Sequence, residues 1–390
     1  MRVLMISSPV PSHFTPMVSL AWAFRAAGHE VLVAGQPDVM GAVRSAGLTG
    51  VSIGDPFGYA AWLAGVTGDK RPVEVMPRPG VPGRTEGMGE VWATHAKNTV
   101  AGYLAFAREF RPDLIVADQA EYGALIVAGV LGIPAVHHRW GVDPLSGPYL
   151  SRMRSSLAAL SAESGLDRFP DPTVTLDPCP PSLQVPSAPP ATPIRHVPFN
   201  GPGERPEWVR RLRESAPAGR TVLISLGRNV LSLNGIPHLN LMLRAFAEIP
   251  GIRVIATVDE EYRSAVEPVP ESVTIVEPTP LRLFLGSCDV VVHHGGAGSS
   301  LTASLFGLPQ LVLPQFPSSF AAGEQLEKLG AGFTLDDDEK QCDPGRLSGA
   351  LSALLTDAGH RRAAEKLRDE MEAMPSPAQV AADLTDLALR

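Results

Sequence analysis

The 390-residue chain is poor in cysteine: Cys179, Cys288 and Cys342 lie far apart, with no CxxC spacing. That disfavours a disulfide framework or a structural zinc site and fits a reducing compartment. No GxGxxG follows the first apolar run, where Ser7–Thr15 carries prolines and serines instead, so an N-terminal NAD site is disfavoured. GxxxxGK[ST] is also missing, which excludes a P-loop enzyme. The longest apolar stretch, Ala124–Val136, contains Gly and Pro and falls short of the ~20 residues a membrane span needs. Met1–Val10 is too short for a signal sequence and breaks at Pro9, so a cytoplasmic protein is expected. Positive charge is in deficit, 33 Lys and Arg against 41 Asp and Glu, which argues against a nucleic-acid partner.

What remains is 44% hydrophobic and 19% charged, ordinary for a globular protein, and long enough for two domains. Val3–Ile6 reads as a buried strand. Pro16–Ala27 follows as a helix, capped by Thr15, with Leu20, Ala21 and Phe24 on one face and Gly28 ending it. Val31–Ala34 is then a second strand, and strand–helix–strand at this spacing implies a parallel sheet. The pattern recurs in Asn98–Phe110 (helix), Leu114–Ala117 (strand), Ala120–Leu131 (helix) and Pro134–His137 (strand). It restarts after Gly201 with strands at Val222–Leu226, Arg253–Thr257, Val273–Val276, Val290–His293 and Gln310–Pro314, and a helix at Leu239–Ile249. Asp343–Arg390 is mostly helical, and a Pro-rich stretch, Pro170–Pro206, separates the two α/β halves. Gly54–Gly89, with five prolines and exposed-looking Trp62, Met76 and Met88, reads as a long loop, either a lid over an apolar ligand or a surface excursion.

Three constellations carry chemistry. His13 lies between the first strand and the first helix, at the strand's carboxyl end where open α/β sheets bind ligands. It suits a general base or a simple turn residue. Asp118 ends another strand of the same half and either orients His13 or caps the helix after it. His293-His294-Gly295-Gly296-Ala297-Gly298-Ser299-Ser300 joins a strand to a helix, where close-approaching amides and the helix N-terminus suit a diphosphate. Asp336-Asp337-Asp338 has the DxD spacing of some metal-dependent sugar transferases, but sits in a charged run that reads better as a solvated turn.

Ser12-His13 with Pro16, Leu20-Ala21 and Gly28-His29-Glu30-Val31 resembles the GT-B glycosyltransferases of antibiotic biosynthesis, in glycosyltransferase family 1. So do Pro112-Asp113-Leu114 with Asp118, Phe199-Asn200-Gly201-Pro202, Ile224-Ser225-Leu226-Gly227, and above all His293–Ser299. The resemblance, strongest to transferases that move dTDP-deoxysugars onto aromatic polyketides, implies an α/β GT-B fold. Two Rossmann-like domains would face across a cleft, with a C-terminal helix crossing back to the first. Residues 1–200 would bind the acceptor, 201–215 link, 216–372 bind the nucleotide sugar, and 373–390 form the crossing helix. It assigns His13 as general base, Asp118 as its partner, and His294, Gly295, Gly296, Ala297, Gly298 and Ser299 to the diphosphate. Ser225, Gly227, Arg228, Val276, Pro278, Leu281, Gln315 and Ser318 fall on the nucleotide and sugar side. Trp62, Met76, His137, His138 and Trp140 fall on the acceptor side.

No metal or other cofactor is implied beyond the sugar donor. The partners are a dTDP-sugar and a hydrophobic aromatic acceptor, without nucleic acid or membrane, and a homodimer is open. Many relatives carry Asp-Gln after Pro-Gln to hold sugar hydroxyls, whereas Pro314-Gln315-Phe316-Pro317 is followed here by Ser318-Ser319. Losing those partners, each worth on the order of 1–3 kcal/mol in a closed site, favours a deoxygenated sugar. A nucleotide-sugar-binding auxiliary of another transferase and a GT-B nucleotide-sugar epimerase are the competing readings.

Overall fold

A computed structural model describes residues 1–76, 78, 86–143, 148–214 and 219–390. Its first sheet has seven parallel strands: β1 (Arg2–Ile6), β2 (Glu30–Gly35), β3 (Thr49–Ser52), β4 (Leu114–Asp118), β5 (Ala135–His138), β6 (Val174–Asp177) and β7 (Thr192–Pro193). They lie in the order β3-β2-β1-β4-β5-β6-β7. The second sheet has six: β8 (Arg220–Ser225), β9 (Ile252–Thr257), β10 (Val273–Val276), β11 (Val290–His293), β12 (Gln310–Val312) and β13 (Gly332–Thr334), in the order β10-β9-β8-β11-β12-β13. Central strands such as β4 and β11 are buried on both faces, which is why they read as unbroken apolar runs. The short edge strands β3, β7 and β13, and β6 next to the edge, carry Thr, Gly and Pro and gave no such signal.

The first helix departs from expectation. It begins at Pro11, not Pro16, and Thr15–Met17 tightens into a 3₁₀ turn before the helix Val18–Ala26. Thr15 caps nothing; its hydroxyl turns back to the Ser12 carbonyl. Pro11 suits a first helical position, and the earlier start places His13 in the opening turn.

Gly54–Gly89 also differs from a plain loop. It holds helices at Tyr59–Thr67 and Pro72–Val75, and the long helix Glu86–Phe110 starts within it. Trp62 is half-buried and Met76 buried, packed with Leu63 against Leu233 and Phe316 of the second domain. The side chain of Met88 lies outside the described residues. Glu207–Glu214, in the stretch expected to link the domains, is a helix whose Val209 and Leu212 join a core with Phe284 and Val291.

The domains are tied at two further places. Val142, Cys179 and Leu183 pack with Leu301, Val312 and Met371. The last helix, Pro377–Ala388, returns to the first domain, where Val380, Ala381 and Leu384 bury against Val3, Leu20 and Val33. No described helix is long and apolar enough to cross a membrane.

Candidate active site

The register of β1 on β4 pairs Ile6 with Ala117, so the chain leaving β1 runs beside Asp118. Asp118 is fully buried. Its Oδ2 accepts the Ser8 amide at 2.7 Å and its Oδ1 the Ala120 amide at 2.9 Å. The carboxylate thus closes the turn after β4 and also reaches across to the β1 loop. His13 Nδ1 lies 2.8 Å from the Ser8 hydroxyl and 3.8 Å from Asp118 Oδ1. The Ser8 hydroxyl also interacts with that carboxylate, so Ser8 bridges the pair.

Burial lowers His13 to about 3, and burial with help from Glu121 raises Asp118 to about 6. At neutral pH the imidazole is uncharged and the carboxylate ionised. That is the state in which Nε2 can take a proton while Nδ1 stays directed at Ser8 and Asp118.

The His13 ring stacks on Trp140, centroids 3.7 Å apart at 22°, and tilts against Trp92 at 5.6 Å. Trp92 continues to Phe57 at 6.2 Å and Tyr59 at 6.3 Å, and Tyr59 stacks on Trp62 at 5.7 Å. An aromatic wall therefore runs from the imidazole to the inter-domain cluster around Trp62 and Met76. Beneath it, His95 presents its edge to Phe57 and Trp92, and its Nε2 meets Glu121 Oε2 at 2.7 Å with both side chains fully buried. Successive residues of β5 face opposite sides of the sheet. His137 lies edge-on to Tyr122, whereas His138 Nδ1 donates to the Arg139 carbonyl at 2.6 Å. Among the described residues, neither pairs its ring with Trp140, Trp92, Phe57 or Tyr59.

On the other domain, His293 ends β11 and sets up the glycine loop. Its Nδ1 accepts the Gly295 amide at 3.0 Å, so Nε2 carries the proton donated to Gln310 Oε1 at 2.9 Å. The helix Ala297–Leu305 starts directly after the loop. A Cβ on Gly227 would lie 2.9 Å from the His294 ring, and one on Gly296 only 2.5 Å from it, so only glycines admit the ring there. Burial lowers His294 to about 4, making it a neutral hydrogen-bonding group. Its Nδ1 and the buried Ser300 hydroxyl, at the helix N-terminus, have no partner among the described residues. Together they form a polar cradle at the positive end of a helix dipole.

Ser225 ends β8 beside His293, while Arg228 is exposed and pairs with Asp259 at 2.8 Å. Gln315 follows β12 and is buried. Val276 and Leu281 bury their side chains in the core with Phe284, so those two residues have only backbone to offer a ligand. Pro278 and Ser318 are exposed.

The two halves meet where Gly141, next to Trp140, packs against Ala297. A Cβ on Gly141 would sit 3.1 Å from that of Ala297. The residue under the His13 ring is thus one residue from the start of the diphosphate-type loop's helix. The acidic run stays partly exposed and is also tied to the first domain: Asp338 pairs with Arg71, and Asp336 with Arg78 at 2.8 Å. Among the described residues no group of three His, Cys, Asp or Glu side chains could hold a metal ion. Sequence reasoning placed Ser300 in the glycine-loop motif without giving it a role, and it missed Ser8 and Trp92. Ser8 lies inside the Ser7–Thr15 loop without a signal of its own, and Trp92 lies just past the segment read as a loop.

The sequence profile of the N-terminal domain of the erythromycin biosynthesis protein CIII-like family matches residues 22–227, and that of the C-terminal domain matches residues 240–387. The chain belongs to this family. It is a glycosyltransferase of GT-B architecture, of the family 1 type that handles deoxysugars in antibiotic biosynthesis. It is 34% identical to the L-demethylnoviosyl transferase of Streptomyces niveus over 98% of this chain and 97% of the relative. It is 33% identical to the TDP-daunosamine transferase of Streptomyces peucetius, over 100% and 97%. Among solved structures, the spinosyn rhamnosyltransferase complexed with thymidine diphosphate superposes with a TM-score of 0.86 at 36% identity, covering 99% of this chain and 100% of that one. The same transferase complexed with spinosyn aglycone gives 0.85 at 35%, with the same coverage. A small-molecule sugar donor and an aglycone acceptor are thus the partners of this architecture.

Proposed function

We propose that the enzyme transfers a deoxysugar from a dTDP-sugar to a hydroxyl of an aromatic polyketide, with inversion and without a metal or further cofactor. The observation that carries this reading is the His13 ring, stacked on Trp140 at 3.7 Å and backed by Ser8 and Asp118. The aromatic wall through Trp92, Phe57 and Tyr59 matches a flat acceptor in shape and polarity. His13 Nε2 takes the proton of the acceptor hydroxyl, and the oxygen forms its bond to the anomeric carbon. The bond from that carbon to the diphosphate breaks on the opposite face, and the leaving group keeps the electron pair. A single displacement inverts the configuration. Asp118 stabilises the imidazolium as it forms.

Charge developing on the diphosphate meets the amides of Gly296–Gly298, with His294, Ser299 and Ser300 around them, while the Gly295 amide stays on His293 and holds the loop in shape. Preorganised donors there are worth ~3–4 kcal/mol each. A phenol deprotonated by the same base has a nucleophilic ortho carbon, so C-glycosylation uses the same residues.

Calorimetric titration with dTDP, UDP and NAD⁺ tests the donor side. The reading expects dTDP binding in the micromolar range with weaker UDP. Preference for UDP would remove the deoxysugar argument, and NAD⁺ binding alone would overturn the reading. His13→Ala should lower turnover by orders of magnitude at unchanged dTDP affinity; near-normal turnover would reject the base.

A further inference from the structure

The segment Tyr59–Met76 of the first domain is anchored to the second domain by charge as well as by packing. Arg71, 5% exposed, pairs through Nη2 with Asp338, and its Nη1 donates to Gln341 Oε1 at 3.1 Å. Arg78 adds contacts to Asp336 at 2.8 Å and Glu324 at 2.6 Å. Gln341 is fully buried, and its amide nitrogen donates to the Pro314 and Leu335 carbonyls at 3.0 and 2.9 Å. Those two carbonyls leave the Gln341 amide one orientation, so its Oε1 is an acceptor.

That acceptor also receives Gln315 Nε2, at 2.7 Å. Gln315 Nε2 is therefore spent inward, with a second, longer contact to the Leu313 carbonyl at 3.3 Å. Its Oε1 is left buried with no partner among the described residues, in a residue 1% exposed. A buried amide oxygen without a donor is costly, and a ligand group that fills the role is correspondingly favoured. Gln315 follows β12, whose neighbour β11 leads into the glycine loop. A Cβ on Gly295 would lie 2.7 Å from Ser319 Cβ, so the segment after Gln315 touches that loop.

We propose that Arg71 is a positioning residue for the donor sugar. Through Gln341 it fixes the Gln315 amide so that Oε1 points at the ligand as an acceptor, and the sugar must meet it with a hydroxyl or an ammonium. The first domain thereby takes part in reading a sugar bound by the second. This inference rests on the nucleotide-sugar reading above.

The test is calorimetry of dTDP, dTDP-L-rhamnose and dTDP-4-amino-4,6-dideoxy-D-glucose against the wild type, Arg71→Met, Arg71→Lys and Gln315→Met, each checked for folding by thermal melting. The wild type should bind at least one sugar nucleotide more tightly than dTDP. Arg71→Met should lower that advantage about tenfold, the weight of one hydrogen bond, with dTDP affinity unchanged, and Gln315→Met should lower it at least as far. Arg71→Lys should recover part of it. An unchanged advantage in Arg71→Met overturns the role of Arg71. A wild type with no advantage for either sugar removes the ligand from Gln315 and overturns the proposal. A wild type that does not bind dTDP refutes the nucleotide-sugar reading itself, which is a separate outcome.

Discussion

The Ser8 hydroxyl stands 2.8 Å from His13 Nδ1, while the Ser8 amide donates to Asp118 Oδ2 at 2.7 Å. One residue thus serves both ends of the pair, its main chain on the carboxylate and its side chain on the imidazole. Ser8→Ala keeps the amide contact and deletes the bridge. Turnover should fall about 10–100-fold with little change in either substrate's affinity, less than for Asp118→Asn. Steady-state kinetics on the two variants decide it: equal, near-normal rates would leave the bridge without a function.

The acid side of the rate profile should follow Asp118 and not the imidazole. Burial raises Asp118 to about 6 and lowers His13 to about 3, so on acidification the carboxylate is protonated first. Below that point nothing balances an imidazolium. We expect kcat/KM to be flat above about pH 7 and to fall through about 6. A profile level down to pH 5 would sever Asp118 from the chemistry.

Stability should fall with acid for a separate reason. His137, His138, His196, His238 and His293 are buried, His13 and His294 are mostly enclosed, and all seven are lowered to about 3 or 4. The unfolded chain takes up their protons near 6.5, whereas the folded chain does not until far lower pH. Stability is therefore full above 6.5 and is lost as pH drops from there toward 4. Each such histidine contributes ~1.4 kcal/mol per pH unit across that window. Asp118, Asp177 and His95 are raised and work in the opposite sense, but the seven lowered imidazoles outnumber them. Thermal melts between pH 8 and 5 should show a steep decline below 6.5; a constant melting temperature would contradict the burial of these rings.

The His95–Glu121 pair should be costly to break and cheap to replace. With both side chains fully buried, His95→Leu strands a carboxylate and should cost ~3–5 kcal/mol. The double variant His95→Leu with Glu121→Leu should recover most of that loss. Urea unfolding of the two variants measures it, and additive losses would show that the pair is not a coupled unit.

Gly227 and Gly28 make a matched comparison. Both have positive φ, 79° and 87°, but a Cβ at Gly227 meets the His294 ring at 2.9 Å while one at Gly28 meets nothing. Both alanine variants should lose ~1 kcal/mol or more of stability. Gly227→Ala alone should weaken dTDP binding, by about tenfold. Equal dTDP affinity in the two would show that the His294 ring position is immaterial to the nucleotide.

The central strands and the glycine loop were legible because their signals are local. β1, β4 and β11 are short apolar runs; β4 ends on Asp118 and β11 on His293, while Ser7 and Ser8 follow β1. The start of the first helix was not, since Pro9, Pro11 and Pro16 punctuate the same ten residues and only the fold shows that Pro11 opens a helix. The segment after β3 was illegible for a deeper reason. Leu63 and Met76 find their apolar partners in Leu233 and Phe316, more than 150 residues away, so no periodicity within the segment announces them. Arg71 and Gln341 likewise acquire meaning only from each other.

The helix Pro377–Ala388 fills a gap in the layer over the first sheet, with Leu384 against Val3 and Leu20, and His29 Nε2 3.0 Å from the Thr385 hydroxyl. A ribosome delivers residues 3–50 hundreds of residues before it delivers that helix. The nascent first domain therefore carries an open greasy seam throughout synthesis of the second, and the seam closes only when the tail swings back. Assembly of the two domains and completion of the first are for this chain a single late event.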